Sequence, residues 1–479
     1  MSIPASRCSG LMEPAVADRI RICMILEGSY PYITGGVGAW VHDIISGLPD
    51  FDFALLTLSP KANQTLRYQL PANVVEHKDV VLGSHEPSRV RKPGKHLMSA
   101  ILELHERMFS KRTSSVMKML DAVSSMDEFG NRMLEDDRAW NLLTMMNMRR
   151  NPAYAFSDYF WAWQSAHRLM FDAIREEAPK ADVYHAISTG FAGLAALGAK
   201  SRNKKPFLLT EHGLYHKERE MEIRKANFVK GYQRDMWINI YNSISIMCYG
   251  NADRITALFE ENRQKQLELG AVPEHCFVIP NGIDIGRYSS VPRTVRPGFH
   301  VGLVGRIVPI KDIKTYILVA RIVLERIPDA VFYAIGPTDE DPEYYDECVA
   351  LVASLRLGDR FIFTGRQNVL EYYSFLDVML LTSVREAQPL VIIEGWVAGV
   401  PSICTKVGNA PEMLDYDERF LASSKDPVTL AECVFFVHDH PAEMLEINKR
   451  NRHKAVALYN KKDMLRRYGE LYRSMQEGV

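Results

Sequence analysis

The chain has 479 residues, too many for one hydrophobic core, and its length fits two domains of ordinary size or slightly more. Its 47% hydrophobic and 24% charged residues are typical of a soluble globular protein, and a formal net charge of −1 argues against a nucleic-acid binder. Seven cysteines without paired spacing favour reduced thiols over a disulfide framework or a zinc site. The N-terminal apolar run is too short for a signal peptide, and no apolar stretch reaches the roughly 18 residues of a membrane span, so we expect a cytoplasmic protein.

The first half of the chain alternates short apolar runs with longer helical patterns, which predicts an α/β fold with a parallel sheet. A helix is expected from about residue 37 to 48, after the first strand. Residues 85–150 carry no strand pattern and many helix formers, so we expect a helical insertion there. The expected strands are Ile20–Leu26, Phe53–Leu58, Val74–Lys78, Val183–Ile187, Phe207–Thr210 and Arg254–Ala257.

A break follows Asn281-Gly282, where glycines and prolines interrupt the periodicity. The strand and helix alternation then restarts, with one helix expected to end near Arg326. The expected strands are His300–Val304, Val331–Ile335, Arg360–Phe363, Val378–Leu381 and Ser402–Thr405. We therefore predict two Rossmann-like domains facing across a cleft, over residues 1–290 and 291–455. A helical segment over 456–479 is expected to pack back on the first domain.

Two glutamates flank a predicted helix start in the second half. Glu386 lies in the loop after an apolar strand, Pro389 opens the helix, and Glu394 follows about one turn later. The free backbone amides of Leu390 and Val391 favour an anion in front of the helix. Carboxylates beside a phosphate-attracting helix end suit a ligand with both hydroxyls and phosphates, such as a nucleotide sugar.

A second loop carries two cations directly after a predicted strand. Arg306 offers a planar fork for phosphate and Lys311 a mobile point charge. Together they are expected to hold a diphosphate and to stabilise the charge that develops when it leaves. The alternative is an ordinary solvated loop. The two glutamates in the same half of the chain favour the functional interpretation.

Candidate residues of the first domain lie where loops follow its strands. Gly35 and Gly36, between the first strand and its helix, let a ligand approach the backbone closely. Their spacing is not that of a dinucleotide fingerprint, which argues against a nicotinamide-dependent dehydrogenase. His212 follows a strand beside a glycine and is expected to contact a sugar hydroxyl or the donor. His185, in a similar position, is the weaker candidate.

Other features favour a structural role. Trp161 and Trp163 suit sugar stacking, but their amphipathic helix favours core packing. The basic run from Arg89 to Lys95 favours a solvated loop over an anionic partner. Asp339 and Asp341 lie in a polar loop with nothing to link them to the site. No metal and no cofactor are therefore expected, because Arg306, Lys311 and a helix end can supply the positive charge.

The complete set of motifs occurs together in one family. Glu386 and Glu394 with seven residues between them, Arg306 with Lys311, the glycine loop and the run NGID at 281–284 make the chain resemble the GT4 family of retaining glycosyltransferases, which have the GT-B fold. Residues 27–45, the helical insertion and the run LTEHGLYHKERE resemble more narrowly the PelF glycosyltransferases of bacterial Pel exopolysaccharide synthesis.

The resemblance implies a role for each candidate residue. Arg306 and Lys311 match the diphosphate-binding pair, and Glu394 matches the ribose-binding glutamate. Glu386 matches the glutamate beside the donor sugar, and His212 the donor-facing histidine. The resemblance also implies contacts to the nucleotide sugar from the backbone of Gly35, Gly36, Leu390 and Val391. Ala387-Gln388 stands where many members of the family have Gly-Phe, so Gln388 is expected to face the sugar.

The resemblance implies transfer of a hexosyl or N-acetylhexosaminyl unit from a UDP-sugar to a growing exopolysaccharide, with the acceptor on the side of the first domain. Partners would be the UDP-sugar, the polysaccharide acceptor and membrane components of the Pel synthase that recruit the enzyme to the inner membrane, with no nucleic acid. Two alternatives remain open. One is another GT-B enzyme, a phosphorylase or an epimerase. The other is a non-catalytic nucleotide-sugar-binding scaffold or sensor.

Overall fold

Two parallel sheets organise the molecule. The computed structural model describes residues 19–59, 61–62, 64–83, 95–109, 116–124, 137–150, 155–226 and 231–478. In these residues one sheet has seven strands and the other six, and the strand pairs are parallel. Parallel strands need helical crossovers that cover the sheet faces, so each half is a Rossmann-like α/β unit. The predicted fold class is confirmed.

The first sheet has the strand order β3-β2-β1-β4-β5-β6-β7. Its central strand is a continuous apolar run, and residues 22–26 are fully shielded from solvent. The order reverses between β1 and β4, so the loop after β1 opens into the crevice where such sheets bind ligands. The strands are β1 (Arg21–Glu27), β2 (Asp52–Ser59), β3 (Val74–Val81), β4 (Val183–Ala186), β5 (Phe207–Glu211), β6 (Arg254–Ala257) and β7 (Cys276–Val278).

Helices connect these strands, and three of them form the predicted insertion. Ile101, Leu104 and Leu120 of the insertion are buried in the same core as Cys23 and Ile25 of β1, so these helices pack on the sheet. The helices of this half are α1 (Gly36–Gly47), α2 (Lys95–Phe109), α3 (Met117–Ser124), α4 (Asp137–Arg150), α5 (Phe156–Arg175), α6 (Phe191–Asn203), α7 (Tyr215–Lys225), α8 (Gly231–Tyr249), α9 (Glu260–Glu268) and α10 (Ile285–Ser289).

The second sheet has the order β10-β9-β8-β11-β12-β13. Strands β8 and β11 are neighbours, with Val301 opposite Val378, so the loops that follow them lie side by side. The strands are β8 (Phe299–Val304), β9 (Ala330–Ile335), β10 (Phe361–Gly365), β11 (Val378–Leu381), β12 (Ser402–Thr405) and β13 (Leu421–Ala422). The helices are α11 (Ile313–Arg326), α12 (Pro342–Ser354), α13 (Val369–Tyr373), α14 (Leu390–Ala398), α15 (Ala410–Met413), α16 (Pro427–Asp439) and α17 (Pro441–Leu458).

The last helix, α18 (Lys461–Glu477), returns to the first domain. Its buried side chains Met464, Tyr468 and Tyr472 share a core with Ile22 and Met24 of β1. The chain thus crosses between the domains twice, and the two crossovers meet. The Ile283 N–H donates to the Tyr459 carbonyl at 2.9 Å, and the Lys461 N–H donates to the Ile283 carbonyl at 3.0 Å. These paired crossovers are the covalent connections between the two domains.

Some sequence expectations need correction. The short strands β7 and β13 were not predicted, because two or three residues cannot show a periodicity. Strand β3 extends to Val81. Core packing was expected for both tryptophans of α5. It holds for Trp163, but Trp161 is 64% exposed. The basic run from Arg89 lies outside the described residues except for Lys95, which begins α2.

Candidate active site

The closest contact among the predicted site residues joins Lys311 to Glu386. The Lys311 Nζ lies 2.5 Å from the Glu386 Oε1, and the Ser383 hydroxyl donates to the same oxygen at 2.6 Å. Both charged side chains are largely buried. The contact forms because β8 and β11 are adjacent and their following loops meet at the carboxyl edge of the sheet.

The backbone around Lys311 is held in place before any ligand binds. Residues 309–311 form a single 3₁₀ turn, and Asp312 then adopts a left-handed conformation with φ 49°. The Asp312 carboxylate caps α11 by accepting from the Thr315 N–H at 3.4 Å, and it also accepts from the Thr315 hydroxyl at 2.7 Å. The Thr382 hydroxyl, at the end of β11, donates to the Lys311 carbonyl at 2.8 Å. The lysine therefore projects from a fixed turn.

Arg306 does not join Lys311 in this structure. Its guanidinium pairs with the carboxylate of Glu340, and both side chains are about half exposed. Arg306 and Glu340 line a cavity of about 640 Å³, together with Lys225, Lys314 and Lys425. That volume is in the range of small-molecule sites. An exposed ion pair contributes little to stability, so Arg306 can exchange Glu340 for an anionic ligand at small cost.

The loop that carries Glu386 rests on the neighbouring strand ends. The Val384 N–H donates to the Ile310 carbonyl at 2.9 Å, and the Asn409 N–H donates to the Ala387 carbonyl at 3.0 Å. Gly408 has φ 53°, and a Cβ there would clash with the carbonyl oxygens of Glu386 and Ala387. Glycine is thus required for the close approach of these two loops.

Helix α14 begins at Leu390, one residue after Pro389. The amides of Leu390 and Val391 are in its first turn, where they lack intrahelical partners. Glu394 lies one turn further and accepts from the Tyr373 hydroxyl at 3.1 Å. Burial raises the pKa of the Glu394 carboxyl above its usual value. The two glutamates of the motif therefore have different surroundings, one beside a lysine and one beside a tyrosine.

The first domain contributes the loop between β1 and α1. Gly35 and Gly36 are exposed, and a Cβ at either position would meet no other atom within 4 Å. Crowding inside the chain therefore does not require glycine at these positions. The close approach of a ligand to these two glycines stays a prediction.

His212 follows β5 and lies edge-on to Trp40, with ring centroids 4.7 Å apart. Burial lowers the pKa of His212 to about 4, so the ring is neutral at pH 7. Its Nε2 is buried and has no hydrogen-bond partner among the described residues. A buried imidazole nitrogen normally has a partner, so the contacts of the described residues leave this atom unsatisfied.

His185, the weaker candidate of the two histidines, makes structural contacts. It is fully buried, with Nδ1 2.7 Å from the Tyr472 hydroxyl and Nε2 2.7 Å from the Thr210 hydroxyl. Burial lowers the pKa of His185 to about 3. Both ring nitrogens are thus occupied, and the histidine joins α18 to the first sheet.

Loops of the two domains touch beside Glu386. The Arg385 guanidinium lies 3.9 Å from the Glu218 carboxylate of α7. A Cβ at Gly213 would lie 4.0 Å from that of Ala387. The segment that follows His212 therefore lies directly against the loop that follows β11.

Gln388 does not face the sugar region as expected. It is 7% exposed, and its side-chain amide is bonded to the backbone of Asn281. The Asn281 N–H donates to its Oε1 at 2.9 Å, and its Nε2 donates to the Asn281 carbonyl at 3.4 Å. The prediction failed because the partner is 107 residues away in sequence.

Sequence reasoning missed two buried carboxyls at strand ends of the first domain. Glu27, at the end of β1, accepts from the Tyr215 hydroxyl at 2.6 Å and from the Phe191 N–H at 2.8 Å. Glu211, at the end of β5, accepts from the Tyr249 hydroxyl at 2.5 Å, and burial raises its pKa to about 7. Both could have been found in the sequence, because each is an acidic residue at the end of an apolar strand.

Asp341 lines the same cavity as Arg306, although nothing in the sequence links it to the site. Asp341 caps α12, accepting from the Tyr344 N–H at 3.0 Å. Six cysteines are described, and all are buried and free. Within the described ranges, no group of three or more His, Cys, Asp or Glu side chains is arranged to hold a metal ion. In that same part of the chain, no helix is both long and apolar enough to cross a membrane.

Comparison with known families assigns both halves of the chain. Residues 20–274 match the family described as "Domain of unknown function (DUF3492)", and residues 298–439 match the family described as "Glycosyl transferases group 1". The first match covers more than half of the chain. The chain belongs to the DUF3492 family. Its second domain is that of the group 1 glycosyl transferases, and the fold is of the GT-B type.

Two curated relatives are similar to the chain at 30% and 24% identity. The chain is 30% identical over 155 residues to the N-acetyl-alpha-D-glucosaminyl L-malate synthase of Bacillus anthracis, a match that covers 32% of this chain and 39% of that protein. It is 24% identical over 314 residues to the UDP-Gal:alpha-D-GlcNAc-diphosphoundecaprenol alpha-1,3-galactosyltransferase of Escherichia coli, covering 62% and 76%. The chain thus spans about two fifths of the first relative's length.

Solved structures share the whole architecture. The sucrose-phosphate synthase of Thermosynechococcus elongatus superposes with a TM-score of 0.61 at 17% identity, over 96% of this chain and 100% of that one. HepE of Anabaena, in complex with UDP, has a TM-score of 0.61 at 16% identity, over 95% and 100%. At these identities the likeness establishes the fold.

Proposed function

We propose that this chain is a retaining glycosyltransferase that moves a hexosyl or N-acetylhexosaminyl unit from a UDP-sugar to a growing exopolysaccharide, as the PelF glycosyltransferases do. The contact between Lys311 and Glu386 at the carboxyl edge of the second sheet carries the proposal. The contact joins a largely buried cation to a carboxylate that lies four residues before the first residue of α14, a combination of groups that suits a diphosphate and a sugar hydroxyl.

The reaction is a front-face displacement without a protein nucleophile. The bond between the sugar C1 and the diphosphate oxygen breaks, and UDP leaves with the electron pair. The acceptor hydroxyl oxygen forms the new bond to C1 on the same face, and its proton passes to the leaving phosphate. Lys311, Arg306 and the first amides of α14 stabilise the developing negative charge, which is often the largest catalytic contribution.

The residues around the displaced bond hold the sugar and exclude water. Glu386 accepts a hydrogen bond from a sugar hydroxyl, and neutral His212 uses its unpaired Nε2 towards the donor. Glu394 binds the ribose hydroxyls. Closure of the domains suppresses donor hydrolysis. The positive charge comes from side chains and a helix end, so we expect turnover without a divalent metal.

The choice of UDP has support beyond the motifs. The name of the Escherichia coli relative gives UDP-Gal as its donor, and HepE of Anabaena has been solved with UDP. For the acceptor we propose a polysaccharide, with membrane components of a Pel-type synthase as the partners that recruit the protein.

Acceptor-dependent release of UDP tests the proposal. The purified chain would be incubated with UDP-glucose, UDP-N-acetylglucosamine or UDP-N-acetylgalactosamine in EDTA, with and without N-acetylhexosamine oligosaccharides. We expect UDP release only with acceptor, and a new linkage of the donor's α configuration by NMR. A β linkage would contradict retention. Interconversion of the UDP-sugar alone would indicate an epimerase, and UDP binding without turnover would favour the scaffold.

A further inference from the structure

Gln388 connects the loop of Glu386 to the crossover between the domains. The residue lies two positions after Glu386 and immediately before Pro389, and its side chain is 7% exposed. A buried side-chain amide needs partners for both its oxygen and its nitrogen. Both partners belong to one residue, Asn281, whose N–H and carbonyl are bonded at 2.9 Å and 3.4 Å.

Asn281 lies where the two crossovers meet. Two residues further, Ile283 forms a pair of backbone hydrogen bonds with the returning crossover at Tyr459 and Lys461. A Cβ at Gly282 would clash with the Lys461 backbone, so the two segments are in close contact. The Asn281 Oδ1 is buried and has no hydrogen-bond partner among the described residues. The Gln388 amide is therefore the polar attachment of Asn281 to the second domain.

Few side chains can make this attachment. An amide presents one donor and one acceptor side by side, as a backbone does, and therefore matches the N–H and the carbonyl of a single residue. A methionine has a similar length but no N–H donor and no carbonyl oxygen, so it can replace neither hydrogen bond. An ionised glutamate can accept from the Asn281 N–H, but its second oxygen cannot donate to the Asn281 carbonyl. Only the protonated carboxyl group has the O–H donor that this second bond needs.

We propose that Gln388 is a positioning residue that couples domain closure to the placement of Glu386. When the domains rotate about the paired crossovers, Asn281 moves with them, and the two hydrogen bonds transmit that movement to the loop after β11. The inference rests on the proposed function. A misplacement of about 1 Å at a reacting centre costs about 100-fold in rate, so a small error in this loop is sufficient to impair transfer.

Two variants of Gln388 separate coupling from a merely structural role. In Gln388→Met we expect the Kd for UDP to stay within about threefold, because Glu386, whose placement the substitution disturbs, is assigned to the sugar and not to the nucleotide. The ratio of sugar transfer to donor hydrolysis should fall at least tenfold, because closure no longer aligns the loop. The exposed Gln264→Met on α9 is the matched control and should change neither quantity.

The pH dependence of Gln388→Glu is a sharper test. A protonated carboxyl regains the donor to the Asn281 carbonyl, so the transfer rate of Gln388→Glu relative to the unsubstituted chain should rise from pH 7.5 to 5.5. The same ratio for Gln388→Met should stay flat. A flat profile for both variants, or a loss of transfer in Gln388→Met that follows the loss of folded protein, would overturn the coupling.

Hydrogen exchange at the Asn281 amide tests the connection to Gln388 without any measurement of turnover. The Asn281 amide should exchange at least tenfold faster in Gln388→Met than in the unsubstituted chain, while the amides of β12 are unchanged. Unchanged exchange at Asn281 would refute the inference even in an active enzyme. Faster exchange in a chain that never transfers sugar would support the connection and reject the proposed function.

Discussion

Replacing Lys311 by methionine removes the cation from a pair that the fold brings to 2.5 Å. The two side chains are 18% and 15% exposed. Breaking a fully buried pair costs about 3–5 kcal/mol, and breaking an exposed pair about 0–1 kcal/mol. This largely buried pair lies between those limits, so we expect the free energy of unfolding to fall by about 1–3 kcal/mol. A protein of ordinary stability, about 5–15 kcal/mol, then remains more than about 95% folded.

The expected loss of turnover is much larger than that change in folded fraction. Removing one donor that stabilises a leaving anion lowers kcat by about 10²–10³, or about 2.7–4 kcal/mol. The assay is acceptor-dependent UDP release per folded enzyme, with thermal unfolding of the same sample. The control is Lys449→Met on α17, because Lys449 is 63% exposed and its pair with Glu446 contributes little.

A second variant separates the two roles of Lys311. Lys311→Met leaves Glu386 without its cation, so adding Glu386→Gln should restore part of the lost stability without restoring turnover. The reasoning is refuted if turnover falls less than tenfold in Lys311→Met, or if the loss follows the unfolded fraction.

Three further predictions concern other parts of the structure. Glu394→Gln should weaken UDP binding about tenfold in calorimetry, about 1.4 kcal/mol, whereas an unchanged Kd would exclude Glu394 from the ribose site. Tyr472→Phe leaves the buried His185 Nδ1 without its partner and should cost about 1–2 kcal/mol in unfolding, so an unchanged Tm would count against that bond. Burial raises the Glu211 pKa to about 7. The stability gained from protonated Glu211 is therefore complete below its unfolded pKa of about 4.3 and is lost as pH rises through 7. The Tm of Glu211→Gln relative to the unsubstituted chain should accordingly rise from pH 5 to 8, and a constant difference would contradict the raised pKa.

The strands were predictable where the sequence holds an uninterrupted apolar run. Val378–Leu381 and Ser402–Thr405 have the predicted bounds because each is buried on both faces and ends in polar residues. The Leu421–Ala422 strand is too short to have a pattern. Trp161 and Trp163 lie two residues apart on one helix and point to different sides, so the prediction of core packing for both of them was wrong.

The candidate site could be proposed from the sequence as a set of residues, but the contacts of those residues could not be predicted. Adjacent strands brought Lys311 to Glu386, which motif positions alone do not reveal. Arg306 pairs with Glu340, and Gln388 with Asn281, because the partners come together only in the folded chain. Side-chain direction depends on tertiary contacts, and local propensity carries no information about them.

Calorimetric titration of the purified chain with UDP, ADP and GDP in EDTA tests the central claim most directly. Lys311, Arg306 and the α14 amides supply the charge for a diphosphate, and Glu394 is assigned to the ribose. We therefore predict that UDP binds without metal and that Lys311→Met loses most of the UDP affinity. The proposed UDP-sugar donor further predicts that ADP and GDP bind at least tenfold more weakly. If none of the three nucleotides binds, the assignment of this site to a UDP-sugar is wrong.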